Sequence, residues 1–209
     1  MKIVKPKITI CENRKLIDAY YEGEYINSKF TETIKENISI QNVTFDSCVF
    51  QNIDFSNIEL DNVDLIDVIF ENCDLSNKVF DEKMLSRVEF LNCKLLGTTF
   101  IGSSLRDILF DNSTLKYCNF SSSRINNILF KDSDLSEATF METEIKNIAL
   151  EKNNLNHTEF IKTKLNGVDF SNSNINNVIF DFYSLNGIII DRFQCQHLVG
   201  MLGVQIKED

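Results

Sequence analysis

A period of five residues that never slips decides what this chain can fold into. From Ile40 to Ile190 every fifth residue is Phe, Leu or Ile: 31 positions, of which 14 are Phe, 12 Leu and 5 Ile. The chain holds 17 Phe, and only Phe30, Phe182 and Phe193 fall outside that set. A second track runs two residues ahead. From Ile38 to Ile188 it carries Ile, Val, Cys, Ser, Thr or Ala at 27 of 31 positions, and Lys78, Lys83, Asn153 and Tyr183 are the exceptions. The residue two places after each large apolar one is Asn twelve times and Gly four times. These residue types enter turn and left-handed geometry most cheaply.

A helix repeats every 3.6 residues and a strand every 2, so period five fits neither. Two inward residues followed by a turn-former describe one short side of a coil that then bends. Runs such as Cys73-Asp74-Leu75-Ser76-Asn77 and Val168-Asp169-Phe170-Ser171-Asn172 resemble the pentapeptide-repeat family. That resemblance implies an all-β chain, a right-handed quadrilateral parallel β-helix with four fives per turn. The residues support a period of 20 independently: Phe70, Phe90, Phe110, Phe130 and Phe170 form one series, and Phe80, Phe100, Phe120, Phe140, Phe160 and Phe180 another. The centres between them are Leu or Ile.

No single five buries its own apolar pair, but stacked fives share a continuous core. At a strand spacing of about 4.8 Å the 31 fives make a rod roughly 37 Å long. Three segments are expected: 1–37 as an N-terminal cap and lead-in, 38–192 as the coils, and 193–209 as a capping helix and short strand. Ile3, Ile8 and Ile10 suggest a strand near the start, and Lys35 on a centre position suggests that Thr31–Asn37 bulges or caps. Lys78 and Lys83 fall on successive inward positions, where an unpaired ammonium is too costly to bury. Either a loop or short helix leaves the rod over 77–87, or the register shifts and rejoins. Asn153 is expected to be satisfied by a neighbouring coil's backbone. Cys73 and Cys93 lie one coil apart, so they are either buried reduced thiols or a disulfide pair.

The tail carries a narrower resemblance. Asp191, Gln194, Leu198, Leu202-Gly203-Val204 and Ile206 look like the end of the Qnr quinolone-resistance proteins, which implies a helix and strand that cap the coil and pair two subunits. Phe193, Leu198, Val199, Met201, Leu202, Val204 and Ile206 are the expected dimerisation residues; a cap on a monomer is the alternative.

Little points to catalysis. His157 and His197 are isolated, no cysteine pair has zinc spacing, and neither a phosphate loop nor a nucleophile elbow is present. No enzyme, cofactor or metal is expected. No apolar run suggests a membrane span or signal peptide, so a cytoplasmic protein is expected. Charge remains. Between 38 and 192 there are 23 Asp and Glu against 13 Lys and Arg, and the whole chain is net −10. Sorted by period 20, two sides are acidic. Glu71, Glu89, Asp111, Asp132, Glu151 and Asp169 lie on one, and Glu59, Asp61, Asp81 and Glu82 on the other; these ten are the candidate partner-binding residues. A third side offsets its acids with Lys83, Arg87, Arg106, Arg124, Lys146 and Lys164. Such a rod repels nucleic acid and attracts proteins that bind it. One net charge per about 3.7 Å is half the density of duplex DNA, about one per 1.7 Å, so segregation onto sides matters. With the Qnr resemblance, this implies a non-enzymatic DNA mimic that binds type II DNA topoisomerase (DNA gyrase or topoisomerase IV), protects it from quinolones and forms homodimers. An interaction scaffold with no topoisomerase contact, its acidity serving solubility, is the rival.

Overall fold

The computed structural model describes residues 1–20, 23–201 and 203–205. The expected quadrilateral parallel β-helix is the observed fold, a solenoid of about eight turns. Successive turns pair in parallel at a separation of 20 residues, from Gly23↔Val43 through Phe70↔Phe90 to Phe160↔Phe180. The strands are β1 Glu12–Asn13, β2 Gly23–Ile26, β3 Ser28–Phe30, β4 Ile38–Gln51, β5 Ile58–Glu71, β6 Met84–Leu91, β7 Ser104–Asp111, β8 Arg124–Lys131, β9 Glu144–Ile145, β10 Ile148–Glu151, β11 Glu159–Phe160 and β12 Ile179–Phe180. The 20-residue ladder therefore begins at Gly23, earlier than the expected boundary at 38.

The repeat explains the packing residue by residue. Every centre from Ile40 to Ile190 is buried except Leu60, Ile145, Leu185 and Ile190. The Phe rings stack along the axis, with centroids of Phe90 and Phe110 4.8 Å apart and those of Phe110 and Phe130 5.1 Å apart. Small polar residues on the inward track donate to a carbonyl one coil below and three residues back. Thr98 Oγ1 reaches the Leu75 carbonyl at 2.8 Å, and Thr158 Oγ1 reaches that of Leu135 at 2.8 Å. Asn153 does the same with Nδ2 on the Phe130 carbonyl at 2.9 Å, as expected. Ser, Thr and Cys fit there beside Val and Ile because a short donor reaches the second lone pair of a turn carbonyl: those of Leu75 and Leu135 also accept the Lys78 and Ala138 amides.

The corners are left-handed almost throughout. Among the described residues, Gly23, Asn27 and Gly203 apart, every positive φ falls on the residue two after a centre. Asn52, Asn72 and Asn92 conform, but so do Glu82, Arg87, Tyr117 and Lys152. The stack imposes the geometry, at a cost of about 1–2 kcal/mol on residues other than Gly and Asn. Amide ladders tie the corners together: Asn72 Nδ2 donates to Asn52 Oδ1 at 3.1 Å and Asn112 Nδ2 to Asn92 Oδ1 at 2.7 Å.

The ends depart from expectation. Ile3, Ile8 and Ile10 form no strand. Residues 1–11 are instead an extended arm laid across the outside of the coils: the Val4 amide donates to Asp107 Oδ1 and the Lys7 amide to Asp67 Oδ1. Leu16 and Ala19, in a 3₁₀ turn at Leu16–Tyr20, are buried over the open end of the core. Residues 31–37 take no regular element, and Ile34 rather than Lys35 turns inward. At the far end the chain leaves the period at α1, Phe182–Leu185. Ser184 takes the buried place, accepting from the Thr163 amide at 3.0 Å, and Tyr183 is left outside. Helix α2 follows at Cys195–Met201. Among the described residues no helix is long and apolar enough to cross a membrane.

All six cysteines are free; Cys73 and Cys93 are buried, and their thiols donate to the Phe50 and Phe70 carbonyls, so the disulfide alternative falls. Burial pushes the Cys48 thiol up to about 11 and that of Cys118 higher still.

Candidate partner-binding surface

The stretch 77–87 neither loops out nor slips. Leu75 N still bonds Lys94 O, Phe80 N bonds Thr99 O and Glu82 N bonds Ile101 O, all toward the next coil in normal register. What changes lies below. Residues 58–64 belong to β5, which pairs with β4 below, whereas 78–84 include a turn, and no backbone bridge joins the two. The lysines occupy this seam. Lys78 Nζ donates to the orphaned Ile58 carbonyl at 2.9 Å, and Lys83 Nζ to Asn62 Oδ1 at 2.9 Å. Both are half-buried, and desolvation lowers the Lys78 pKa against the pull of Glu59, Asp54 and Asp74. Lys78 thus turns to the main chain where the ladder fails and Lys83 ends on the exposed Asn62, which removes the need for an excursion.

The first seam opens as a groove of about 690 Å³, with Ile38, Glu59, Leu60, Asn77, Lys78 and Val79 among its lining residues. It explains why the Leu60 centre is only partly buried. A second seam separates 144–150 from 164–170, where Gly167 turns and Asn147 does not adopt the left-handed corner. Its groove, about 620 Å³, is lined by Arg106, Arg124, Ile145, Lys146, Lys164 and Tyr183 among others. Of the six basic residues foreseen on the third side, Arg106, Arg124, Lys146 and Lys164 gather at this break, whereas Lys83 lies at the first seam and Arg87 pairs with Asp67. Lysines on the inward track signal the first seam in the sequence; no such outlier marks the second.

The acidic residues divide. Glu59, Asp61, Asp81 and Glu82 come together within two coils beside the first seam, with Glu59, Asp61 and Glu82 exposed and Asp81 accepting the Ile101 amide at 2.8 Å. Asp132, Glu151 and Asp169 are exposed along the other side. Asp169 accepts from Ser171, whose hydroxyl and amide hold its carboxyl below the usual range. Glu71 accepts from Gln51 Nε2 at 2.8 Å, and Asp111 pairs with Lys131 Nζ at 2.9 Å. Glu89 is not available. It points outward in register yet is 7% exposed, between the apolar Ile69 and Leu109 of adjoining coils, and its Oε1 has no hydrogen-bond partner. Burial raises its pKa, while Lys5 of the arm pulls it down. Beside it Asp67 is 5% exposed; burial would raise its carboxyl, but the bidentate Arg87 guanidinium at 2.6 and 2.7 Å and the Lys7 amide hold it low.

At the tail, Gln194 does the closing. Its Nε2 donates to the Phe170 and Ser173 carbonyls at 3.0 and 2.8 Å, and its Oε1 accepts the Asp191 amide at 2.9 Å. Leu198 packs against the core and Val199 is half-buried, while Phe193 and Val204 are exposed. Met201 ends α2. Leu202 and Ile206 lie outside the described residues; Val204 takes no regular element, and its amide bonds the Val199 carbonyl. The structure adds Phe182, Tyr183 and Ile189 to this exposed apolar end. Among the described residues no group of His, Cys, Asp and Glu forms a metal site.

Comparison with known proteins matches residues 63–140 to the pentapeptide repeat region model and 143–181 to pentapeptide repeats in eight copies. The SV2A/B/C luminal domain model matches 15–100. No curated protein matches. Among solved structures, full-length QnrB1, a plasmid-mediated fluoroquinolone resistance protein, is 21% identical; the match covers 87% of this chain and 100% of that one, with a TM-score of 0.45. A pentapeptide repeat protein from the Arabidopsis thaliana thylakoid lumen is 17% identical over 62% of this chain and 83% of its own, with a TM-score of 0.35.

Proposed function

Because this chain belongs to the pentapeptide-repeat family, we propose that it works without catalysis, as a rod whose acidic exterior binds a type II DNA topoisomerase, DNA gyrase or topoisomerase IV. The observation that carries the reading is the gathering of Glu59, Asp61, Asp81 and Glu82 beside the first seam, on a rod of net charge −10. A channel built to hold phosphates attracts such a surface and discriminates against cations. Binding there competes with DNA and lowers quinolone damage. The exposed Phe193 and Val204, with Leu198 and Val199, pair two copies in the cytoplasm. A supercoiling assay with DNA gyrase, with and without ciprofloxacin, tests it. Micromolar protein should inhibit the enzyme or rescue it from the drug; neither effect refutes the proposal.

A second reading has its own support. Asp81, Asp111 and Asp169 engage partners within the rod, as structural carboxylates do. An interaction scaffold with no topoisomerase contact would keep every cellular phenotype when Glu59, Asp61 and Glu82 are reversed to Lys.

A further inference from the structure

The arm has a seat of its own. Val4 and Lys7 give their amides to Asp107 and Asp67, two turns apart on one corner. Two turns span about 9.6 Å, and three extended residues about 10 Å, so an extended chain meets this corner in register. Between the two contacts, Pro6 has no N–H to present to the intervening Arg87. The positive charge of Lys5, also on the arm, pulls down the pKa of Glu89, whose Oε1 is buried without a partner. Asp67, Glu89 and Asp107 are all at least nine-tenths buried. An unpaired carboxylate oxygen under an extended basic segment is a recognition feature, since stability alone selects against it.

We propose that the corner Asp67–Arg87–Asp107, with Glu89, is a binding site for an extended lysine-bearing peptide. The chain's own residues 4–7 fill it in the free protein, and an extended basic segment of a partner takes it in the complex. The arm is then a competing ligand held in cis, and any partner binding here must first displace it. The site stands whether or not that partner is a topoisomerase.

A fluorescein-labelled synthetic peptide of residues 1–10 tests this by anisotropy. The full-length K5E/K7E variant, its arm released, should bind the peptide at least tenfold more tightly than the unaltered chain. Adding E89Q and D107N should abolish that binding. No binding by the released variant, or binding indifferent to the two added changes, overturns the proposal. Hydrogen exchange supplies a reading that needs no variant. In the unaltered protein the Val4 and Lys7 amides should exchange more slowly than that of Lys2, and excess peptide should bring them to the free rate. Amides never protected, or protected and unmoved by peptide, overturn it equally.

Discussion

Replacing Glu89 by Leu should make the protein more stable, although it deletes a charge from an acidic surface. Its neighbours along the rod, Ile69 and Leu109, are apolar, its exposure is 7%, and Oε1 is unpartnered. A buried polar group left unsatisfied costs about 1–3 kcal/mol, more when charged. The opposing attraction to exposed Lys5 is worth about 0.2–1 kcal/mol. The balance predicts that Glu89→Leu gains about 1–2 kcal/mol at pH 7, read as a higher urea midpoint. The pH dependence fixes the cause. Burial raises the folded pKa above the unfolded 4.5, so the native state binds the extra proton between the two values. Wild-type stability from this group is therefore full below pH 4.5 and is lost as pH rises through the folded pKa. The advantage of Leu should shrink as pH falls toward 4. A variant less stable at pH 7, or a gain that does not diminish in acid, refutes the reasoning.

Phe110→Ala should cost about 3–5 kcal/mol, since the ring is fully buried between two stacked neighbours, whereas Phe110→Leu should cost far less because other centres are Leu; urea unfolding measures both. Lys78→Met keeps the stem but orphans the Ile58 carbonyl, so about 1 kcal/mol should be lost and amides around the first seam should exchange faster. Gln194→Leu strands the Ser173 carbonyl and the Asp191 amide and should cost about 1–3 kcal/mol, read as a lower urea midpoint. In the native protein at pH 8 a thiol reagent should label the exposed Cys195 quickly and Cys11 next. Cys48, Cys73, Cys93 and Cys118 should react only on unfolding.

The coils were legible because their cause is local and repeated. A residue such as Phe110 points inward for the same reason as those five before and after it, so one rule read correctly places them all. The failures share the opposite property. Lys78 broke the rule visibly, but its remedy depends on a carbonyl 20 residues earlier that its own coil had left unpaired. Glu89 looked like any outward acid, and its burial between Ile69 and Leu109 depends on adjacent coils. Residues 1–11 follow no period, since they are held by side chains on several coils rather than by a ladder. Tyr183 broke the inward track because the chain had already left it for α1, with Ser184 one place on supplying the buried hydroxyl.

The two seams lie on neighbouring sides of the tube, each where main-chain bonding between turns is missing on part of the circumference. A stack tied on every side is stiff, because leaning stretches bonds somewhere. Opened along one flank, it leans about the flank that stays tied, at no loss of main-chain bonding. The molecule is accordingly articulated at two points whose axes differ, and can follow the curvature of a surface that a straight cylinder would touch along one line only.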